Sequence, residues 1–281
     1  VKQRTLTAGR ALAFAEHLRR EERAEATVEK YLRDTEAFMA WQSRKAVTKE
    51  SVLAWRERLL ESGLSPVTVN AKLSALNSLF QFLGWEDCRV KFLKIQRRAF
   101  RESSRELSRE EFSRLLETAR SQGRERLELL METICATGVR VSELRHITVE
   151  AARRGTAEVR MKGKIRVILL PQKLCRKLLK YAGKQKTAAG EIFLTNGGKS
   201  LSRRQIWWEM KSLCEEACVE PSKVFPHNLR HLFATLFYRA CRDIVKLADV
   251  LGHSSIETTR IYLMSTGTEH ARWLDRLGVI R

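Results

Sequence analysis

Apolar residues recur at helical spacing along most of this chain, and the recurrence fails near residues 97–106, where Arg97, Arg98, Arg101, Glu102 and Arg105 crowd around Ser103 and Ser104. A core-facing helix needs an apolar stripe at intervals of three and four residues, so a charge-dense stretch without one reads as a linker. The break divides the folding problem into a unit over residues 1–97, a linker over 98–106 and a larger unit over 107–281. In the first unit, residues 27–41 place Val28, Tyr31, Leu32, Phe38 and Trp41 at helical intervals. Ser65 and Pro66 supply an N-cap and a first-turn proline for another helix, which Gly84 stops. After the linker, Ser108-Arg109-Glu110-Glu111 has the spacing of a capping box and opens an amphipathic helix through Phe112, Leu115 and Leu116. Helices then dominate, interrupted by partly alternating apolar segments at residues 156–161 and 165–170. A Lys-Gly-Lys turn joins these two into a hairpin with lysine at its tip. A short strand is also expected at residues 192–194. The expected fold class is mainly α with a small antiparallel β-sheet, in two domains.

The 281 residues include 53 Lys+Arg against 33 Asp+Glu, a formal charge of +20. A charge of that size calls for a polyanionic partner, and nucleic acid is the leading candidate. A membrane surface would also attract it, but no apolar run is long enough to span a bilayer and no signal-peptide pattern opens the chain. The expectation is a soluble intracellular protein. Cys88, Cys135, Cys175, Cys214, Cys218 and Cys241 include no C-x-x-C pair, and they read as small buried hydrophobes. Cys214 and Cys218 stand four apart on an expected helix without a histidine at zinc-finger spacing, so no metal site is expected. Trp207 and Trp208, beside Arg203, Arg204 and Lys211, read either as a DNA-facing patch or as a helix face flanked by solvated charge.

Two short C-terminal segments carry the chemistry. Pro226-His227-Asn228-Leu229-Arg230-His231 is followed by Leu251-Gly252-His253, with Tyr262 nine residues after that histidine. A tyrosine hydroxyl has a pKa of about 10, so only about one in a thousand is phenolate at pH 7 and a nucleophilic tyrosine needs help. If its target is a phosphodiester, the transition state gathers negative charge on oxygen and calls for fixed cationic donors. Arginine serves best because its planar fork donates two bonds at once. Upstream, Ala136-Thr137-Gly138-Val139-Arg140-Val141-Ser142-Glu143-Leu144 offers a second arginine in a small-residue turn. Glu143, three residues on, can hold that guanidinium in place.

Arg140, the hairpin lysine, His227-x-x-Arg230, His253 and Tyr262, in that order, resemble the tyrosine recombinase (phage integrase) family, of the mobile-element integrase type. The resemblance spans essentially the whole chain and is strongest from about residue 107. It implies a two-domain DNA clamp, a helical core-binding domain followed by a catalytic domain with a C-terminal tail from about residue 264. It also implies a site-specific DNA recombinase in which Tyr262 forms a 3′-phosphotyrosine and frees a 5′-hydroxyl. The catalytic set carried over is Arg140, Lys162, His227, Arg230, His253 and Tyr262, with Glu143 and His231 in support. Lys162 precedes the hairpin glycine and fits the general acid best; Lys164 is the alternative, in a turn that departs from the family's Gly-Lys-Gly wording. His17, His146 and His270 are ordinary, and Tyr31, Tyr181 and Tyr238 lack the motif that precedes Tyr262. Because bond energy is retained in the phosphotyrosine, no cofactor is implied, and side-chain cations take the place of metal. The implied partners are double-stranded DNA at recombination or attachment sites, a homo-oligomer that is a tetramer on DNA, and an accessory directionality protein. The implied setting is the cytoplasm, at the nucleoid, in a bacterial, phage or transposon context. A type IB topoisomerase and an inactive DNA-binding regulator are the competing functions. The tail argues against the first, the filled catalytic positions against the second. Many such integrases carry an arm-binding domain before the core-binding one, and a chain opening on Val1 leaves room for it.

Overall fold

The computed structural model describes residues 4–43, 45–95, 105–161, 164–253, 255–260, 262 and 275–276. Lys162, most of the 98–106 linker and nearly all of the tail after Tyr262 lie outside the described residues. The chain forms two compact units, Val1–Arg97 and Arg98–Arg281.

In the first unit four helices follow one another: α1 (Ala8–Arg20), α2 (Glu25–Gln42), α3 (Lys49–Glu61) and α4 (Pro66–Phe82). The side chains of Thr7, Thr48 and Ser65 cap α1, α3 and α4 by accepting bonds from first-turn amides that have no partner inside the helix. Phe14, Phe38, Phe80, Leu73 and Leu76 are fully buried and make the core. Inside this apolar bundle Asp34 is 5% exposed, a position a carboxylate tolerates only when paired. Lys30 and Lys72 donate to its two oxygens at 2.7 and 2.9 Å, tying α2 to α4. Asn70 and Asn77 on α4 each exchange two hydrogen bonds with the backbone of the extended segment beyond, at Leu93 and Val90.

The second unit starts with α5 (Arg109–Ser121), opened by the reciprocal Ser108–Glu111 capping box, and α6 (Glu125–Thr137). A 3-10 turn (Val141–His146) leads to α7 (Val149–Arg154), then to strands β1 (Thr156–Met161) and β2 (Lys164–Leu169). After them come α8 (Gln172–Lys184), α9 (Arg203–Lys211), α10 (Pro226–Cys241), α11 (Ile244–Leu251) and α12 (Ile256–Arg260). Helices α6 and α10 pack together around a core that includes Leu130, Met131, Ile134 and Leu229. Gly138 ends α6 at φ +62°, and a Cβ there would lie 2.5 Å from the Phe233 ring of α10. Only glycine combines that backbone angle with so close an approach. This contact brings the residues just after α6 against α10, where the candidate site forms.

The sheet is a two-stranded antiparallel hairpin, with Met161 opposite Lys164 and Thr156 opposite Leu169. The strand expected at residues 192–194 is reduced to isolated bridges, Thr148 with Glu191 and Leu194 with Ser200. Its apolar residues, Ile192 and Phe193, are spent on burial in the core. The faces of β2 invert the usual pattern: Ile165, Val167 and Leu169 are more than half exposed, while Ile168 and the largely buried Arg166 face the protein. Cys214 and Cys218 lie beyond the end of α9, the first buried and the second exposed. Among the described residues no helix is long and apolar enough to cross a membrane.

Candidate active site

Arg140 caps the 3-10 turn that follows α6, and Glu143, 3% exposed, closes the turn back onto it. Glu143 Oε2 accepts the Arg140 amide at 2.9 Å and Oε1 accepts the Arg140 guanidinium NH1 at 2.8 Å. A second guanidinium reaches the same carboxylate from the hairpin, Arg166 NH1 donating to Oε2 at 2.6 Å. Burial raises the Glu143 pKa, but the bonds and charges of the two arginines outweigh it and the net shift is downward. The same burial lowers the pKa of Arg166, and the neighbouring Arg140 lowers it further against the pull of Glu143. Arg166 NH2 also donates to the Val250 carbonyl at 2.8 Å, and its Nε is buried with no hydrogen-bond partner among the described residues. A buried donor left in that condition costs about 1–3 kcal/mol, a penalty sustained beside two strong bonds.

Arg230, on the first turns of α10, is 2% exposed. Its NH1 donates to the Gly138 carbonyl and its NH2 to the Leu251 carbonyl at 2.8 Å. These carbonyls close α6 and α11, so one buried guanidinium joins the ends of two helices whose last carbonyls carry partial negative charge. Burial, then repulsion from Arg140 and Arg166, brings its pKa down to about 10, with a hydrogen bond to Tyr262 acting in the opposite sense. Arg230 remains a cation at neutral pH.

His253 follows Gly252, the left-handed residue that ends α11. Its Nε2 lies 3.0 Å from Arg230 NH2 and its Nδ1 lies 2.9 Å from Thr259 Oγ1. A guanidinium can only donate, so Nε2 is the acceptor and the ring proton sits on Nδ1, donated to Thr259. Burial, followed by the charges of Arg230, Arg140 and Arg166, pushes the His253 pKa down to about 4. The imidazole is therefore neutral and held in one tautomer. Thr259, fully buried on α12, also accepts the amide of Tyr262 on its carbonyl at 3.0 Å. One residue thus orients the histidine with its side chain and the tyrosine with its backbone.

Tyr262 is 4% exposed and packs with Phe233, Ala234, Leu247 and Leu251. Its ring lies edge-on to His231 at 4.4 Å and stacks on His253 at 5.8 Å. His227, one turn before His231 on α10, meets the latter edge-on at 4.9 Å. Burial, Arg230 and then Arg140 lower the His227 pKa.

The structure thus gathers Arg140, Glu143, His227, Arg230, His231, His253 and Tyr262 in one place. Lys162 lies outside the described residues, and for Lys164 only the backbone at the start of β2 is described. Two residues of the cluster escaped the sequence reading. Arg166 gave no signal, because it stands among apolar residues whose alternation would turn it outward. Thr259 had a partial one, its place three residues before Tyr262, about one helical turn away; nothing in the spacing ties it to His253. Two guanidiniums here, Arg140 and Arg166, share one carboxylate, and His227 and His253 are both biased toward their neutral forms. The cluster is suited to holding a phosphate and to stabilising extra charge on it.

Comparison with known proteins agrees with that chemistry. Residues 105–269 match the phage integrase family, and residues 12–87 match the N-terminal SAM-like domain of phage integrases. The tyrosine recombinase XerC of Roseiflexus castenholzii is 32% identical, over 92% of this chain and 91% of its own length. The tyrosine recombinase XerA of Pyrococcus furiosus is 28% identical, over 100% of this chain and 98% of its own. Among solved structures the fold is similar to the Tn1549 transposon integrase in complex with transposon right end DNA, with a TM-score of 0.71 at 17% identity, covering 96% of this chain and 99% of the other. It is also similar to a lambda integrase dimer bound to a COC' core site, with a TM-score of 0.72 at 17% identity, covering 92% and 78%. The chain belongs to the phage integrase family and is an enzyme of the site-specific tyrosine recombinase class.

Proposed function

We propose that Tyr262 is the nucleophile of this recombinase and that Arg140, Arg230, His227 and His253 hold the phosphate it attacks. The observation that carries this reading is the meeting of Tyr262 with His253 and the buried Arg230, beside a second arginine, Arg140, whose side chain is 41% exposed. The Tyr262 oxygen attacks phosphorus and the bond to the 5′-oxygen breaks, leaving a 3′-phosphotyrosine and a 5′-hydroxyl. The phenolic proton passes to a neighbouring imidazole, and Lys162, or alternatively Lys164, protonates the departing oxygen. The freed 5′-hydroxyl of one strand then attacks the phosphotyrosine of its partner and releases Tyr262. Charge that builds on the phosphate oxygens meets fixed guanidiniums in a site largely shielded from water, where each donor is worth more than at the surface. Glu143 keeps Arg140 in place, and His231 supports the Tyr262 ring.

In this reading residues 1–97 are the core-binding domain, 98–106 the linker and 107–281 the catalytic domain. The substrate is double-stranded DNA at a recombination or attachment site, bound with strong salt dependence because of the cationic excess. Exchange between two duplexes needs four such sites and hence a tetramer on DNA. An accessory protein sets direction, and the enzyme works at the nucleoid in the cytoplasm. The test is covalent trapping on a nicked suicide duplex, read on a denaturing gel. The parent forms an adduct that maps to Tyr262, and Tyr262→Phe binds the duplex without forming it. An adduct on another tyrosine, or one that survives the change, would overturn the assignment.

A further inference from the structure

Among the described residues Arg166 is the one cation of the cluster with no role in the scheme above, and its surroundings define what it does. It leaves β2 on the inward face, opposite Val159 in the register, and reaches two separate parts of the site. One is Glu143 Oε2, on the carboxylate whose other oxygen holds the Arg140 guanidinium. The other is the Val250 carbonyl, three residues before His253. Between them Gly252 lies against the Arg166 side chain so closely that a Cβ would collide with its Cδ and stand 2.7 Å from its Nε.

A buried carboxylate facing a single arginine takes both ends of the fork, because two parallel charge-assisted bonds are the favoured geometry. Here Glu143 instead divides its charge between two arginines, and Arg140 is bonded to it through NH1. Loss of Arg166 leaves the carboxylate with Arg140 as its one ion-pair partner among the described residues. That draws the Arg140 fork inward, away from its exposed position. It also frees the turn that presents His253.

We propose that Arg166 is a positioning residue for the strand-cleavage step: it shares Glu143 so that Arg140 keeps donors for the phosphate, and it pins the turn carrying His253. The inference rests on the reading of Arg140 as a phosphate ligand. The experiment is single-turnover cleavage by the full chain at saturating DNA, comparing the parent with Arg166→Met, Arg166→Lys, Gly252→Ala and Arg140→Ala. Arg166→Met should cleave about 10- to 100-fold more slowly with unchanged DNA affinity. Arg166→Lys should restore little, since one ammonium cannot bridge Glu143 and Val250 as the fork does. Gly252→Ala should reproduce the defect by displacing the Arg166 side chain without altering it. The decisive readout is a duplex whose scissile phosphate is a methylphosphonate, uncharged because a methyl group replaces one charged oxygen. A residue that works through the charge of Arg140 matters less there, so the Arg166→Met defect should shrink several-fold. An Arg166→Met defect of equal size on both substrates means a structural role only and overturns the inference, as does normal cleavage by Arg166→Met when Arg140→Ala is slow. Normal cleavage by Arg140→Ala instead refutes the underlying reading of the site.

Discussion

Thr259→Val is the sharpest perturbation of the site, because valine has nearly the shape of threonine and the position is fully buried. The change removes the hydroxyl that accepts the His253 Nδ1 proton at 2.9 Å. Imidazole then has two choices. It keeps the proton on Nδ1 and leaves a donor without its acceptor, or it moves the proton to Nε2 and confronts the Arg230 NH2, a donor 3.0 Å away. Either way a hydrogen bond is lost at cost, and an unsatisfied buried donor is worth about 1–3 kcal/mol. If that penalty falls on the transition state, where the ring must hold one orientation, single-turnover cleavage should slow by about 5- to 150-fold at about 1.4 kcal/mol per tenfold. Duplex affinity should change little, since many other cations bind the backbone. Thr259→Ser, which keeps the hydroxyl, should recover most of the rate. Equal rates for the valine and serine variants would refute both the tautomer argument and the role given to Thr259.

Arg230→Ala should lower single-turnover cleavage by about 100- to 1,000-fold, the usual effect of losing one preorganised charged donor, and near-normal cleavage would contradict its placement on the phosphate. Glu143→Gln removes a buried charge from between two arginines, a change that costs about 3–5 kcal/mol. At about 2–4 °C per kcal/mol for a unit of this size, the melting transition of the second unit should fall by about 6–20 °C; a shift below about 2 °C would show the carboxylate to be dispensable. His253, with a pKa held at about 4 against an ordinary 6.5, is a basic group depressed on folding. Its contribution to stability is fully present above about pH 6.5 and is lost as pH falls through about 4. Thermal melts between pH 7 and 4 should therefore fall less steeply for His253→Gln than for the parent, and parallel curves would count against the shift.

Much of this was legible in the residues themselves. The caps at Ser65 and Ser108 and the proline at the start of α4 are local signals, read by rules that need only a few neighbours. The hairpin was legible for the same reason. What escaped is non-local. Residues 192–194 carry a strand-like composition, but a strand needs a partner, and the chain beside them offers only isolated bridges. The alternation of β2 points the wrong way, with Ile165, Val167 and Leu169 more than half exposed while Arg166 turns inward. Burial normally decides which face of a strand is apolar. At Arg166 an ion pair with Glu143, 23 positions earlier in the chain, decides instead, and no periodicity rule contains that information. The candidate site was read through the family resemblance as separate residues; its tautomer and its shared carboxylate belong to the folded chain alone.

The same electrostatics connect the site's stability to its substrate. The charge of Arg140 lowers the pKa of Arg166, the charges of Arg140 and Arg166 lower that of Arg230, and one carboxylate is divided between Arg140 and Arg166. Cations packed this way are held against repulsion by the fold around them, including the carbonyls at the ends of α6 and α11. On the proposed reading, a phosphodiester that reaches the arginines would add an anion where, among the described residues, one carboxylate meets two of the three guanidiniums, so binding would relieve repulsion present in the free enzyme. The transition state, which gathers further negative charge, relieves more of it. Interactions that strengthen as the reaction proceeds are the ones that accelerate it. An arrangement with one carboxylate per arginine would be more stable in isolation and a poorer catalyst, because each guanidinium would have to give up its own anion before taking the phosphate.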